Sequence, residues 1–435
     1  MLKAIKSPAP DGPTADGISR AVAEILERID REGIEAIRHY SRRFDAWDPE
    51  QFRISEAAIA AAERSVPESL RGHIDFALEQ VRRFAVAQRE TLHDLRIETM
   101  PGVTLGHRLV PVGHVGAYVP GGRYPLIAAA FMTVAVPRVA GVGKVTAVAP
   151  PSTDGGVDPA TLYAMVASGA DEIFCIGGVQ AIAAMAFGVA GASPADMIVG
   201  PGNAYVTEAK RQLYGRVGID LVAGPSEILI VADASASPAT LAVDLLAQAE
   251  HGPTSRAVLL TWDRALAEET LTAIDSALAD LPIGTPAAES WRSHGEIALA
   301  ASAEEALAHA NQLAFEHVHI QGSPEQLEFF NDGLRNYGSL FLGETTTVVF
   351  GDKAIGTNHC LPTGRGARYT GGLWVGTFLK ALTYQELTAS AAQAIAPSAA
   401  AIAAAEGLDA HARSAALRAN GTFAARADAP AQGPR

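Results

Sequence analysis

What the chain has little of narrows it first. Its 435 residues include only two cysteines, Cys175 and Cys360, too few and too far apart for a disulfide framework or a thiolate metal site. Any metal is therefore expected on nitrogen and oxygen ligands. Basic charge is the minority, 34 Lys plus Arg against 48 Asp plus Glu for a formal net charge of −14, and no Lys/Arg-rich run is there to track phosphates. Nucleic acid is not an expected partner. Long apolar runs are missing as well: the longest, PLIAAAFMTVAV, is cut by Pro137 and Arg138 well short of a membrane span. The opening MLKAIKSPAPDGP is followed by no apolar h-region, so the expectation is a soluble, cytoplasmic protein with no membrane partner.

What is present is an ordinary globular composition, 48% apolar, in a chain long enough for two or more structural units. From about residue 14 to 95 apolar residues recur three and four apart, as in GISRAVAEILERIDREGIEAIRHYSRRF, and predict amphipathic helices. LGHRLVPVGHVGAYVPGG then alternates between glycines and reads as strands and turns. Repeated strand-then-helix units follow: KVTAVAPP with PATLYAMVASG, DEIFCIGG with VQAIAAMAFG, and DMIVGPGN with AYVTEAKRQLYG. This spacing implies a parallel, doubly wound sheet over residues 118–227 that binds ligands at the carboxyl ends of its strands.

A second α/β series opens with SEILIVAD, passes through a long helix ending at His251, and runs through RAVLLTWD, FEHVHIQ and GSLFLGE to about residue 372. The expected fold is α/β: two doubly wound, Rossmann-like domains plus small helical terminal segments. One domain comprises 1–117, with its N-terminal helices, plus 228–372; the other is 118–227; a helical segment covers 373–435. From Tyr384 the chain reads as Ala-rich helix with a break at Pro397, and ADAPAQGPR as a disordered tail.

Several stretches can carry chemistry. In LLAQAEHGPTS, Gln248 and His251 lie three apart on what reads as the last turn of a helix. They would share a face, placing an amide oxygen and an imidazole nitrogen near one ion. His251 by itself is an ordinary helix-end residue, and a glutamine is a weak neutral ligand, so zinc would need a carboxylate and a second imidazole from elsewhere. FGDKAIGTNHCLPTG offers Asp352 and His359 on a glycine-flanked loop, a setting equally suited to function and to simple turn chemistry. EGLDAHAR places Glu406 and His411 in a helix-loop context that otherwise reads as a solvated helix end.

FEHVHIQ puts Glu316 beside His317. Within a strand these two project to opposite sides, while His317 and His319 share a face; at a strand end Glu316 and His317 can both reach one cleft and transfer protons. The pattern by itself favours a hydrophilic edge strand. YVPGGRYP and VGPGNAYVTEAK each follow a strand and lead into a helix whose N-terminus can meet an anion, but neither is the G-x-G-x-x-G dinucleotide fingerprint.

Taken together, YVPGG, GGVQAIAAMAFG, GPGNAYVTEAKRQ, AGPSEILI, LLAQAEHGP, FEH, GTNHCLPTG and EGLDAH stand in the order found in the histidinol dehydrogenase family, which the chain resembles from roughly residue 20 to 418. The resemblance implies a zinc-dependent enzyme that oxidises an alcohol through the aldehyde to the carboxylate with two NAD+ in sequence. It implies Gln248, His251, Asp352 and His411 as zinc ligands, with His411 supplied by the other subunit of an intertwined homodimer. His317 is implied as the general base and Glu316 as the group that activates water. Ser226 and Glu406 match substrate-contacting positions, beside Gln248, His251, His317, Asp352 and His411. Tyr118, Gln180 and Asn203 match NAD+ contacts, which makes 118–227 the NAD-binding domain. A neutral imidazole near pH 7 can accept a proton while zinc stabilises a developing alkoxide.

The chain also departs from the family pattern. It has Phe315-Glu316-His317 where histidinol dehydrogenases usually have Pro-Glu-His, a shorter YVPGG turn, and unlike segments in GSLFLGETTTVVFGDK and ARYTGGLWVGTFLKALTYQ. These look like a side branch that includes sulfopropanediol 3-dehydrogenase, which oxidises 2,3-dihydroxypropane-1-sulfonate. Arg123, Arg365 or Arg368 would then meet the anionic head group. Glu406 pulls toward L-histidinol, since in those enzymes the position faces a substrate amine. The expectation is thus a dehydrogenase of a small polar alcohol other than histidinol, with L-histidinol as the alternative. A catalytically inactive ligand-binding relative is a third reading, disfavoured because the implied catalytic and metal residues are all present.

Overall fold

The structure, a computed structural model, describes residues 2–8, 16–121, 124–282 and 284–420. In chain order its elements begin with β1 (Lys3–Lys6), α1 (Asp16–Glu32), α2 (Ile34–Asp45), α3 (Glu56–Ser65), α4 (Glu68–Glu90), β2 (Leu95–Met100) and β3 (Val103–Pro111). An alternating series follows: β4 (His114–Tyr118), α5 (Ile127–Ala140), β5 (Lys144–Ala149), α6 (Pro159–Ser168), β6 (Glu172–Cys175), α7 (Gly178–Phe187), β7 (Met197–Val199), α8 (Ala204–Leu213) and β8 (Gly218–Ile219). The second series is β9 (Glu227–Ala232), α9 (Pro238–Ala249), β10 (Arg256–Thr261), α10 (Arg264–Asp280), α11 (Pro286–His294), β11 (Glu296–Leu299), α12 (Ala303–Leu313), β12 (His317–Gln321), α13 (Pro324–Gly333), β13 (Ser339–Leu342) and α14 (Val348–Lys353). The chain closes with β14 (Leu379–Leu387), α15 (Ala389–Ala405) and α16 (Asp409–Ala419).

The chain divides into two compact units, one built from the residues up to Arg89 together with Pro111–Phe378, the other from Glu90–Val110 and the residues from Leu379 on. The larger unit holds two parallel sheets. The first has five strands in the order β6-β5-β4-β7-β8, the second has six in the order β1-β11-β10-β9-β12-β13, with β1 alone antiparallel at its edge. The five parallel strands of each sheet thus run third, second, first, fourth, fifth by order of appearance. This doubly wound arrangement leaves a switch point between the first and fourth strands, β4 against β7 and β9 against β12. The smaller unit carries the sheet β14-β3-β2 and the helices α15 and α16.

Local signals explain many boundaries. Asp158-Pro159, Ser237-Pro238, Thr285-Pro286 and Ser323-Pro324 start α6, α9, α11 and α13, each with its side chain accepting a helix N–H and proline in the first turn. EILIVA of β9 is buried along its whole length, as a central parallel strand covered on both faces should be. Ile228 and Ile230 pack with Leu241 and Leu245 of α9, while Leu229 and Val231 pack on the opposite face with Phe330 of α13.

Four expectations need correction. FEHVHIQ is not an edge strand: β12 is buried throughout and pairs with β9 and β13. The helix after SEILIVAD stops at Ala249, so His251 lies beyond it, in a turn where its N–H reaches the Gln248 carbonyl at 3.2 Å ahead of Gly252-Pro253. Tyr384 is not helical, because residues 379–387 form β14; the helix begins at Ala389 and runs through Pro397 without a break. Asp352 sits in the short helix α14 rather than a loop. Arg123 and the ADAPAQGPR tail lie outside the described residues.

Candidate active site

The amino ends of β9 and β12, the strands at the switch point of the second sheet, hold a cluster of buried polar groups. Ser226 and Glu227 stand at the start of β9, and Glu316 immediately precedes β12, whose His317 pairs with Ile228. Gln248 Nε2 donates to Ser226 Oγ at 2.6 Å, and the Ser226 hydroxyl donates onward to Glu316 Oε2 at 2.6 Å. The same carboxylate oxygen accepts the Glu227 main-chain N–H at 2.9 Å. The carboxylate is thereby fixed by a charge-assisted pair of donors.

His317 is oriented through the other side of the same peptide segment. Its Nδ1 lies 3.1 Å from the Glu227 carbonyl, and a carbonyl can only accept, so Nδ1 carries the proton when the ring is neutral. Nε2 is then the free lone pair, and it is buried with no hydrogen-bond partner. Asp352 stands 3.7 Å from that nitrogen through Oδ1 and 3.4 Å from His251 Nε2 through Oδ2. His359 Nδ1 lies 3.0 Å from the Asp352 carbonyl, which makes it a brace for α14.

The electrostatics follow from packing several charges in little space. Burial pushes Asp352 up, but the imidazoles of His251 and His317 beside it outweigh that and hold the carboxyl below the usual carboxylate range. Burial pushes His317 down, but Glu316 and Asp352 more than offset it and lift the imidazole to about 10. A cation beside Asp352 would compete for that carboxylate and lower this value, as a base requires. Glu227, which the sequence reading passed over, is raised to about 7 by burial and by its neighbour Glu316, and its Oε1 accepts the Gly364 N–H at 3.0 Å. An acidic residue opening an apolar strand directly after Ser226 was the signal available for it.

The donor set suits a metal in one respect and leaves it short in another. Among the described residues no group of three or more His, Cys, Asp or Glu is placed to hold an ion. His251 and Asp352 would offer two donors to an ion, and Gln248 a third of another type: its Oε1 is buried without a partner while its Nε2 is engaged by Ser226. An orphaned buried carbonyl oxygen is costly unless something accepts its lone pairs. The three residues therefore fit an open, nitrogen-and-oxygen site that still lacks a ligand. His411 and Glu406 belong to the smaller unit, on α16 and at the end of α15, and both are exposed there.

The remaining candidates lie at the carboxyl end of the first sheet. Tyr118 ends β4; its hydroxyl accepts the Gly178 N–H at 3.3 Å, and burial pushes its pKa up to about 12. Gln180, on α7, is buried and donates to Asp45 at 2.9 Å, an acid the sequence reading did not single out. Asn203 caps α8, accepting from Tyr205 and Val206 at 3.0 and 3.1 Å. The preceding turn is clamped by the buried Lys210–Asp220 ion pair, with Lys210 Nζ donating to the Gly200 carbonyl at 2.8 Å and Asp220 accepting the Gly200 N–H at 2.7 Å. Arg365 and Arg368 are exposed, and Arg365 adopts a left-handed backbone with φ of 68°.

Two doubly wound sheets and a buried Glu–His pair beside an open donor set describe an α/β protein equipped for proton transfer. The family model for histidinol dehydrogenase matches residues 11–419. A histidinol dehydrogenase homologue from Shouchella clausii is 50% identical over 92% of this chain and 94% of its own. Sulfopropanediol 3-dehydrogenase from Ruegeria pomeroyi is 46% identical over 93% of each chain. The crystal structure of histidinol dehydrogenase from Elizabethkingia anophelis superimposes with a TM-score of 0.89 at 35% identity, covering 95% of this chain and 94% of that one. The chain belongs to the histidinol dehydrogenase family, a family of oxidoreductases.

Proposed function

We propose that this protein is a zinc- and NAD+-dependent dehydrogenase that oxidises a small polar alcohol through the aldehyde to the carboxylate, consuming two NAD+. The observation that carries the reading is the hydrogen-bond chain from Gln248 through Ser226 to Glu316, set against a His317 whose Nδ1 is committed to the Glu227 carbonyl. When bound, zinc would supply a Lewis acid and NAD+ a hydride acceptor. Gln248, His251 and Asp352 would hold the metal, and the partner subunit's His411 would complete the set in a homodimer. Tyr118, Gln180 and Asn203 would bind NAD+ at the carboxyl end of the first sheet.

His317 Nε2 takes the hydroxyl proton as hydride leaves the carbinol carbon, giving the aldehyde. Glu316 then accepts a proton from the water that attacks the aldehyde carbon, and a second hydride transfer yields the acid. Ser226 and the Glu227 N–H keep the Glu316 carboxylate aligned for this second step. Glu316→Gln should retain aldehyde formation while acid formation falls by a factor of about 100 or more. Equal loss of both steps in a stopped assay that quantifies aldehyde and acid separately would contradict the assigned role.

The reading favours an anionic alcohol such as 2,3-dihydroxypropane-1-sulfonate. It is supported by similarity along nearly the whole chain to sulfopropanediol 3-dehydrogenase, and by Phe315 ahead of Glu316-His317. Glu406 motivates the alternative, L-histidinol. No helix among the described residues is long and apolar enough to cross a membrane, and a cytoplasmic location accords with the reading.

A further inference from the structure

A second buried polar cluster lies deeper in the same sheet and has no part in the chemistry above. Asp244 is on α9, one helical turn before Gln248. Its Oδ2 accepts Gln321 Nε2 from the end of β12 at 2.8 Å and faces His319 Nδ1 at 3.6 Å; its Oδ1 accepts the Thr347 hydroxyl at 3.0 Å. His319 Nε2 in turn lies 3.0 Å from the Gly343 carbonyl just past β13. One carboxylate therefore joins the helix bearing Gln248, the strand bearing His317 and the segment leading to Asp352.

Thr347 shows that this tie is built at a local expense. It is the N-cap of α14, and a threonine there ordinarily turns its oxygen back to the first free N–H groups of its own helix. Thr347 makes no such side-chain cap; its hydroxyl donates to Asp244 instead. The six-residue helix that carries Asp352 is thus fastened at its start to α9 rather than to itself. On the other side of the cluster, His317 and His319 both pack on Phe341, with ring centroids 6.0 and 6.1 Å away.

We propose that Asp244 and Thr347 are positioning residues for the metal site: their hydrogen bond sets the distance of Asp352 from His251 and Gln248, and so fixes the affinity for the ion. The inference rests on the zinc reading. Outer partners of this kind change metal affinity without touching the ion, typically by about 10- to 100-fold.

The test uses the full-length protein, with Zn2+ affinity measured by competition against a chromophoric chelator and Tm measured in parallel on the metal-free forms. Thr347→Val keeps the shape and deletes the donor, and is expected to weaken zinc binding by about 10- to 100-fold with little change in metal-free Tm. Thr347→Ser, which restores the hydroxyl, should recover most of it. Wild-type affinity in Thr347→Val, or an equal loss in Thr347→Ser, would overturn the proposal. If Thr347→Val does not fold, Asp244→Asn, which keeps volume and one acceptor, gives the same reading through the same competition. Failure of the wild-type protein itself to bind zinc would instead refute the functional reading beneath it.

Discussion

At the scale of single residues, Glu227 presents its main chain to Glu316 and His317 and buries its own carboxyl beside Glu316. Its pKa stands at about 7 in the fold, against the ordinary glutamate value of 4.5. The folded state therefore holds a proton that the unfolded state releases, and stability falls as pH rises from about 4.5 to about 7, by at most roughly 3 kcal/mol. Glu227→Gln removes that titration while keeping an acceptor for the Gly364 N–H. The variant should gain Tm relative to wild type as pH rises through this window, and a difference that stays constant with pH would contradict the assignment. His251→Ala tests the metal directly: the purified variant should lose its bound zinc on elemental analysis, whereas retention at the wild-type level would remove His251 from the ligand set.

Residue types were legible in the sequence more readily than their placement. Gln248, His251, Asp352, Glu316 and His317 stood out from motif context, and the fold gathers them at one end of one sheet. Glu227 and Asp45 did not, because a carboxylate is notable only once burial is known, and burial is a property of tertiary packing. The same limit hid Asp244 and Thr347, whose hydrogen bond spans 103 residues.

At the scale of elements, periodicity was informative where strands are buried on both faces. KVTAVA and EILIVA are mostly apolar and lack a clean polar alternation, and both are interior strands. HVHIQ misled because its polar side chains find partners inside the protein: His319 Nε2 lies against the Gly343 carbonyl, and Gln321 Nε2 donates to Asp244. Residues 379–387 misled for a different reason, since they carry mixed helix and strand formers and are decided by pairing with β3. The GPGN turn gives a prediction at this scale. Gly200 has φ of 118°, and a Cβ there would run into the Tyr118 carbonyl. Gly200→Ala should destabilise the fold by about 2–4 kcal/mol and weaken NAD+ binding; an unchanged Tm and NAD+ affinity would show that the turn tolerates the shift.

At the scale of the whole molecule, the two sheets share one strand order, yet the candidate chemistry uses opposite ends of them. The proposed cofactor residues lie at the carboxyl end of the first sheet, where doubly wound folds bind ligands. The Glu316–His317 pair lies at the amino ends of β9 and β12 in the second. Alternating strands and helices revealed both sheets in the sequence, but no local pattern encodes which end a site occupies, because that depends on how the strands are ordered and what covers them.

The most direct test of the central claim is NADH formation by the purified, zinc-loaded protein with 2,3-dihydroxypropane-1-sulfonate and with L-histidinol, assayed side by side for the wild type and His317→Ala. The expected result is turnover of the sulfonate by the wild type, yielding two NADH per alcohol, with the rate falling by about 100-fold or more in the variant. Turnover of L-histidinol alone would contradict the substrate assignment, and no NADH from either alcohol would contradict the dehydrogenase reading itself.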